Sequence, residues 1–473
     1  MTTSQRWWSF AVVALALFMA MLDNLVVTTA LPAIQRALHA GIPDLEWTVN
    51  AYTLAFTVLM LPAAALGDRF GHRRALLGGV ALFTLGSAAA ALSTTSTGLI
   101  LARALQGLGG AFITPLTLTI LTRAFPAERR AAAIGLWSGV SGLGLAAGPL
   151  VGGAIVNGWS WNAVFWINVP IGLALLVLGR LRLPETRGER RLLDLPGTAL
   201  IGGGLLALVY GLIRGNALGW TSPEILASLA GGLALLAAFI WRERVAAAPM
   251  LELRLFAVRG VWVANAVGFL LSFGMFGSIW LLTLFLQQAQ GASPLRAGLE
   301  TMPWTGTIML VAPVAGILAG RIGPRSLVVA GMALQAISLA WIGAISLATT
   351  PYLNLLPAFI LGGLGMGLSF SPLSEAVMGA VSEAQQGQAS GATNTLRELG
   401  GVFGVAILGA VFQHVAPAPA NFLTGFHAAV LAGAAVLAAG AIIALLLPRR
   451  PAAAPQPHTA PALARPNALP VSD

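Results

Sequence analysis

Apolar residues run in blocks of about 20 along nearly the whole chain, each closed by a short break rich in Arg, Gly or Pro. A helix of that length crosses about 30 Å of hydrocarbon, where the backbone must satisfy its own hydrogen bonds. The breaks predict spans at 8–30, 46–66, 75–93, 98–121, 131–156, 163–180 and 196–213. Seven more follow at 224–241, 260–286, 300–319, 326–347, 354–378, 388–413 and 425–446. The expected fold class is an all-α polytopic membrane protein with 14 transmembrane helices. The first block is too long for a signal-peptide core and contains Asp23, so it is read as a retained span.

Composition supports this reading. Of 473 residues, 57% are hydrophobic and 9% charged, too little charge to cover several soluble domains. The net charge of +10 suggests nucleic acid only until its positions are read. All 26 basic residues are arginines, and 21 of them fall in segments on the N-terminal side of the predicted membrane. Arg36, Arg214 and Arg296 lie opposite, while Arg103 and Arg397 fall within spans. The positive-inside rule then places both termini in the cytoplasm of a multi-pass membrane protein, and one span more or fewer would destroy the bias. No nucleic-acid partner is expected. The chain has no cysteine, which excludes disulfides and thiolate catalysis. His39, His72, His414 and His427 lack ligand spacing, so no metal is expected. The absence of a GxxxxGK[ST] loop argues against ATP-driven transport.

The two ends of the chain echo each other. LGDRFGHRR at 66–74 has a weaker partner in AGRIGPR at 319–325, with Arg69 and Arg321 252 residues apart. Gly107 and Gly363 lie 256 apart, and the same offset carries Gly144 and Gly148 onto Gly400 and Gly404. Two six-span halves in parallel repeat suit a rocking transporter with its site between them. The expected organisation is a first bundle over 1–182, two inserted spans with their loops over 183–258, and a second bundle over 259–447. A Pro- and Ala-rich tail over 448–473 is read as disordered and cytoplasmic.

These motifs resemble the major facilitator superfamily, specifically its fourteen-span drug:proton antiporter branch, over nearly the whole chain. LDNLVVTTALP (22–32) resembles the branch's first-helix motif, with Thr28 where Asn is usual. LGDRFGHRR resembles the loop between spans 2 and 3, with Ala64 in place of its leading Gly. LILARALQGLGGA (99–111) matches the fourth-helix pattern, including Arg103 and Gln106. GLAAGPLVGG (144–153) matches the fifth-helix antiporter motif, and WNAVFWINVPIG, PMLELRLF, GASPLRAGLETMP and ATNTLRELGGVFGVA resemble further features. Gly320 stands where the loop motif of the second half would carry an acid. The resemblance implies two six-helix bundles in pseudo-two-fold repeat plus two inserted helices. It also implies proton-coupled efflux of amphiphilic small molecules such as lipophilic drugs or dyes by alternating access. No enzyme activity and no cofactor are implied; the partners are substrate, protons and bilayer, and the working unit is a monomer.

Asp23 is the sharpest candidate, because a carboxylate within a span costs about 2.5–3.5 kcal/mol on insertion scales. It lies roughly 10 Å from the outer end of span 1 and Arg103 roughly 8 Å into span 4 from that side, at 1.5 Å per residue. The resemblance lets both line one cavity. Burial and a nearby arginine act on the carboxyl's charge in opposite directions; a purely structural ion pair is the alternative. Asp68, Arg69, Gly71 and Arg73 form the implied gating loop, in which Asp68 pairs with an arginine across the loop. Gly144, Gly148 and Gly152 recur every four residues and allow close helix approach, and Pro149 can bend the same helix. Asn24, Tyr52, Gln106, Phe273, Trp280, Asn394, Arg397 and Glu398 are candidates for the substrate cavity. Glu300 and Glu375, near span ends, read as solvated mouth residues. A dedicated exporter of a host-made natural product or lipid fits the same features. A membrane-embedded enzyme would need clustered acid, base or nucleophile groups, whereas the deep charges here are scattered over spans 1, 4 and 13.

Overall fold

The computed structural model describes residues 3–188, 194–246, 249, 253–381 and 385–449. Residues 450–473, most of the tail, lie outside them. Fifteen α-helices follow in order. They are α1 (Thr3–Leu38), α2 (Ile42–Phe70), α3 (His72–Ala91), α4 (Ser96–Ala124), α5 (Ala127–Gly158), α6 (Ala163–Trp166) and α7 (Asn168–Arg182). Then come α8 (Leu195–Leu218), α9 (Pro223–Val245), α10 (Arg259–Leu284), α11 (Pro294–Ile322), α12 (Pro324–Ile345), α13 (Tyr352–Met378), α14 (Gln386–Val415) and α15 (Phe422–Ala444). Among the described residues, 13 helical spans are long and apolar enough to cross a membrane, and the bent α2 brings the number to 14. Its two pieces meet at 51° beside Pro62, where proline removes a ladder bond and crowds the preceding turn. Short α6 and longer α7 together make the sixth span.

Glycine contacts display the internal repeat in three dimensions. Gly71 and Gly323, 252 residues apart, end α2 and α11 with φ of 109° and 85° and begin α3 and α12. That left-handed backbone suits glycine, which carries no Cβ to clash. Gly79 on α3 abuts the Gly109 carbonyl of α4, and Gly331 on α12 abuts the Gly365 carbonyl of α13. Gly107 packs on the Tyr52 backbone just as Gly363 packs on that of Trp304. Gly144 on α5 meets the Phe18 carbonyl of α1, while Gly400 on α14 meets that of Phe269 on α10. Close backbone approach through small residues gives van der Waals contact where lipid offers no hydrophobic drive.

The inserted helices α8 and α9 pack on each other, and α8 touches α2 of the first half and α14 of the second. Ser228 Oγ of α9 donates to the Ala207 carbonyl of α8 at 2.6 Å, and Asn216 Nδ2 of α8 donates to the Ala410 carbonyl of α14 at 2.6 Å. Asp194 caps α8 through the Gly197 N–H at 2.9 Å and takes Arg242 of α9 at 2.6 Å on the same oxygen. Burial opposes the Asp194 charge, but the hydrogen bonds from Arg242 and the Gly197 N–H outweigh it and hold its carboxyl below the usual value. A lowered carboxyl contributes stability above its ordinary value near 3.8, lost as pH falls through the lower folded value. Asp194→Asn is expected to lower the melting temperature at pH 7 and to shrink the difference between pH 7 and pH 3. Thermal melts of the two proteins check this; asparagine still caps α8, so the expected cost is that of the lost ion pair with Arg242, about 1 kcal/mol or less.

The two halves meet firmly on the side opposite the termini, here the far side. Gly153 of α5 lies on the Pro294 and Leu295 backbone of α11, and Gly298 of α11 lies on the Pro149 carbonyl. Neither position has room for a β-carbon. Gln287 Nε2 donates to the Thr29 carbonyl at 2.9 Å, Gln288 Nε2 to Gln35 at 2.7 Å, and Gln413 Nε2 to Glu46 at 2.7 Å. Toward the terminal side the same face of α5 is bare. Gly135, Gly139 and Gly142 share a helix face with Pro149 and Gly153, yet nothing lies within 4 Å of where their β-carbons would be. The structure is therefore closed on the far side, with the α5–α11 seam parted toward the termini.

Candidate functional site

Asp23 sits in the middle of α1, fully buried, and Arg103 of α4 reaches it. Arg103 Nη1 lies 2.6 Å from Asp23 Oδ2. The other carboxylate oxygen accepts from Gln106 Nε2 at 2.8 Å and from Asn168 Nδ2 at 2.8 Å. Both Asp23 oxygens thus act only as acceptors, which is the bonding pattern of the ionised carboxyl. Gln106 follows Arg103 by three residues on one helix face and returns its Oε1 to Arg103 Nη1 at 2.6 Å. Arg103 Nε donates to the Thr48 carbonyl of α2 at 3.2 Å, and its guanidinium lies 4.2 Å above the Tyr52 ring. Ser87 of α3 sits 3.0 Å from Asn168 Nδ2 and donates to the Phe165 carbonyl at 2.9 Å. Five helices, α1 to α4 and α7, therefore converge on one buried ion pair.

Asn168 and Ser87 are the members that the sequence reading missed. Asn168 stands within WNAVFWINVPIG at the start of α7, just after the break between α6 and α7. The available signal was an amide inside an apolar span, the same signal that singled out Asn24 and Asn394. Those two are half-buried on α1 and α14, and neither takes part in the hydrogen bonds of the cluster. Tyr52 and Gln106, read as cavity residues, instead pack about Arg103. Phe273 and Trp280 are corrected as well: both are buried in a hydrophobic cluster that runs through both halves. Phe273 offers its carbonyl to Gly404, and Trp280 is 0% exposed. Their helix α10 is apolar on every side and lies inside the bundle, so aromatic type says nothing about a cavity there.

Arg397 and Glu398 stand on α14 beyond the cluster. Arg397 packs its stem on Gly268 of α10 and its guanidinium 3.7 Å from the Phe370 ring centre of α13. Its Nε and Glu398 Oε2 are buried without hydrogen-bond partners. Glu300, expected in solvent, is buried and bonded to Arg296 at 2.7 Å, one turn earlier on α11.

The loop between α2 and α3 also departs from expectation. Asp68 pairs with His72 at 3.0 Å, not with an arginine, because the turn at Gly71 brings the first residue of α3 back against the last turn of α2. His72 Nδ1 lies 2.8 Å from the Thr186 carbonyl and 3.0 Å from its hydroxyl. The acid that meets Arg73 is Glu185, which accepts from the Arg73 N–H at 3.1 Å and lies 3.5 Å from its guanidinium. Arg69 is exposed beside the Phe70 ring. The segment that leaves α7 thus folds back as a strap over the loop, with the Gly188 N–H on the Asp68 carbonyl at 3.2 Å.

On α5, Gly144, Gly148 and Gly152 pack on Met21, Leu25 and Val26 of α1, the helix that carries Asp23. Pro149 presents its carbonyl to Gly298 and, with Trp304, Thr305 and Phe359, lines a small apolar cleft beside the far-side seam. Pro149→Ala restores a backbone N–H within α5. The variant is expected to insert normally while drug efflux falls or protons leak, read as collapse of a pH gradient in vesicles.

Residues 13–405 match the Major Facilitator Superfamily model. The chain is 38% identical over 406 residues to the tetracenomycin C resistance and export protein of Streptomyces glaucescens, covering 85% of this chain and 75% of that one. It is 37% identical over 404 residues to the multidrug resistance protein Stp of Mycobacterium tuberculosis, covering 84% and 74%. It is 36% identical over 438 residues to the cephamycin export protein CmcT of Amycolatopsis lactamdurans, covering 91% and 90%. Among solved structures, an auto-inhibited POT family peptide transporter aligns with a TM-score of 0.68 at 18% identity, over 94% of this chain and 97% of that one. At that identity the likeness concerns the fold.

Proposed function

This chain belongs to the Major Facilitator Superfamily, and from that premise we propose that it exports amphiphilic small molecules in exchange for protons. The observation that carries the proposal is the buried Asp23–Arg103 pair with its neutral donors Gln106 and Asn168. A purely structural anchor has no need of a titratable group in a span, where charge is costly. Protonation of Asp23 removes the charge that holds Arg103, while Gln106 and Asn168 remain able to bond a neutral carboxyl. Arg103 keeps the Thr48 carbonyl and the Tyr52 face. Uptake of one proton thus loosens α4 from α1 without exposing the cluster, and α1 carries the change to α5 through Gly144, Gly148 and Gly152.

The arginine distribution argues for both termini in the cytoplasm, so the far side faces outward and the parted seam faces the cell interior. In this form an amphiphile enters from the cytoplasm or inner leaflet, and Arg397 and Glu398 on α14 offer it both charges. The proton gradient is the energy source, with no cofactor, and the working unit is a monomer. The names of the relatives are equally compatible with a second reading within the same mechanism. Export proteins for tetracenomycin C and cephamycin suggest that the cargo is one natural product made by the host. A dye-efflux assay with and without a proton uncoupler tests antiport; efflux that persists at full rate in the uncoupler would sink it. Competition of dye efflux by a panel of unrelated drugs separates a broad exporter from a dedicated one.

A further inference from the structure

The far-side closure contains a carboxyl group that the Asp23 cluster does not use. Glu46 of α2 is 0% exposed and crosses from the first half to the second. Its Oε1 accepts from Gln413 Nε2 of α14 at 2.7 Å, and Gly409, one turn earlier on α14, leaves it just enough room. Its Oε2 is buried with no hydrogen-bond partner. The titratable and charged groups of the surrounding elements are otherwise placed. Asp23 and Arg103 hold each other, Arg36 of α1 bonds the Pro32 carbonyl, and Asp44 accepts from the Gly41 N–H. Arg214 of α8, and Arg397, Glu398 and His414 of α14, form no ion pair with Glu46, and those of α3 lie at the opposite end of α2. Among the described residues, no ion pair includes Glu46.

A carboxylate in this place would bury a full charge against one neutral donor, whereas the acid form buries only a hydroxyl. One turn deeper on the same face, both amide atoms of Asn50 are also buried without partners. Polar groups left unsatisfied in the closed seam become hydrated when it opens. We infer that Glu46 is a second proton-binding site: it holds a proton while the outer side is closed and releases it to water when α2 parts from α14. Outside acidity then favours closure, independently of Asp23. The assignment of this side as outer rests on the antiport reading above; the conformational linkage does not.

The chain has no native cysteine, so spin labels can be placed on Ala37→Cys of α1 and Leu353→Cys of α13, both exposed far-side positions on opposite halves. Pulsed-dipolar distances are measured in lipid nanodiscs between pH 5.5 and 8, in an Asp23→Asn background that removes the first site. The short, closed distance is expected to dominate at low pH, and the closed-to-open ratio to fall by up to about tenfold per pH unit as one proton is released. In Asp23→Asn with Glu46→Gln, which preserves size and the bond to Gln413, the distribution is expected to be the same at every pH. Glu46→Asp is expected to restore the response. A pH response that survives Glu46→Gln, that is missing while Glu46 is present, or that Glu46→Asp fails to restore would overturn the inference. Uncoupler-insensitive efflux with this response intact would instead remove the antiport reading alone.

Discussion

Asp23→Asn abolishes uncoupler-sensitive efflux, with turnover expected at least about 100-fold below wild type, while the protein still inserts and binds dye. Asparagine matches aspartate in size, and its amide oxygen can still accept from Gln106 and Asn168. What disappears is the charge 2.6 Å from Arg103. A buried ion left without its partner costs about 3–5 kcal/mol, so the melting temperature should fall as well. Two further variants separate stability from coupling. Arg103→Met in the Asp23→Asn background removes the orphaned charge and is expected to recover much of the lost stability but none of the transport. That non-additivity is what a shared contact produces. Asp23→Glu keeps a titratable group and should retain partial activity. Wild-type transport by Asp23→Asn would reduce the pair to an anchor between α1 and α4.

Gly298→Val is expected to hold the far side open. Its β-carbon would fall on the Pro149 carbonyl and the Leu150 Cα, which are backbone atoms that no rotamer change can move. Overpacking of this kind costs about 1–3 kcal/mol, and the cost falls only on the closed form, because an open seam has room. The closed-to-open ratio should therefore drop by about 5- to 150-fold, the equilibrium equivalent of that energy. Efflux slows in proportion to the lost closed population, while the melting temperature changes little. The spin-label pair on Ala37 and Leu353 reads the shift directly. Gly298→Ala, with the same β-carbon and nothing beyond it, should fall between wild type and valine. Unchanged distances in both variants would show that the α5–α11 seam yields where its backbone contacts say it cannot.

Much of this molecule is legible in its sequence, and the parts that are not share one cause. The expected spans recur as helices, and Gly71 and Gly323 sit at matching turns because LGDRFGHRR and AGRIGPR were already recognisable partners. Asp23 and Arg103 could be placed at one depth by counting residues from the span ends. Asn168 could not be joined to them by counting, since depth along a span does not say which face of α7 is turned toward α1. The same limit misplaced Trp280, whose span is buried all round, and gave Asp68 an arginine when His72 is its neighbour. Glu185 entered the loop only because the strap after α7 folds back on it.

The sequence by itself determined the membrane class, the span order, the sidedness argument, the repeat and the depth of the buried charges. Those are local matters: the bilayer forces each segment to satisfy its own backbone, so length, hydropathy and arginine position suffice to read them. The tertiary structure alone decided which side chains meet. A helix turns by about 100° per residue, and its rotation is set by where glycines let a neighbour's backbone approach. That rotation put Asn168 onto Asp23 and Ser87 onto Asn168, Glu46 onto Gln413 across the two halves, and Pro149 onto Gly298 at the closed seam.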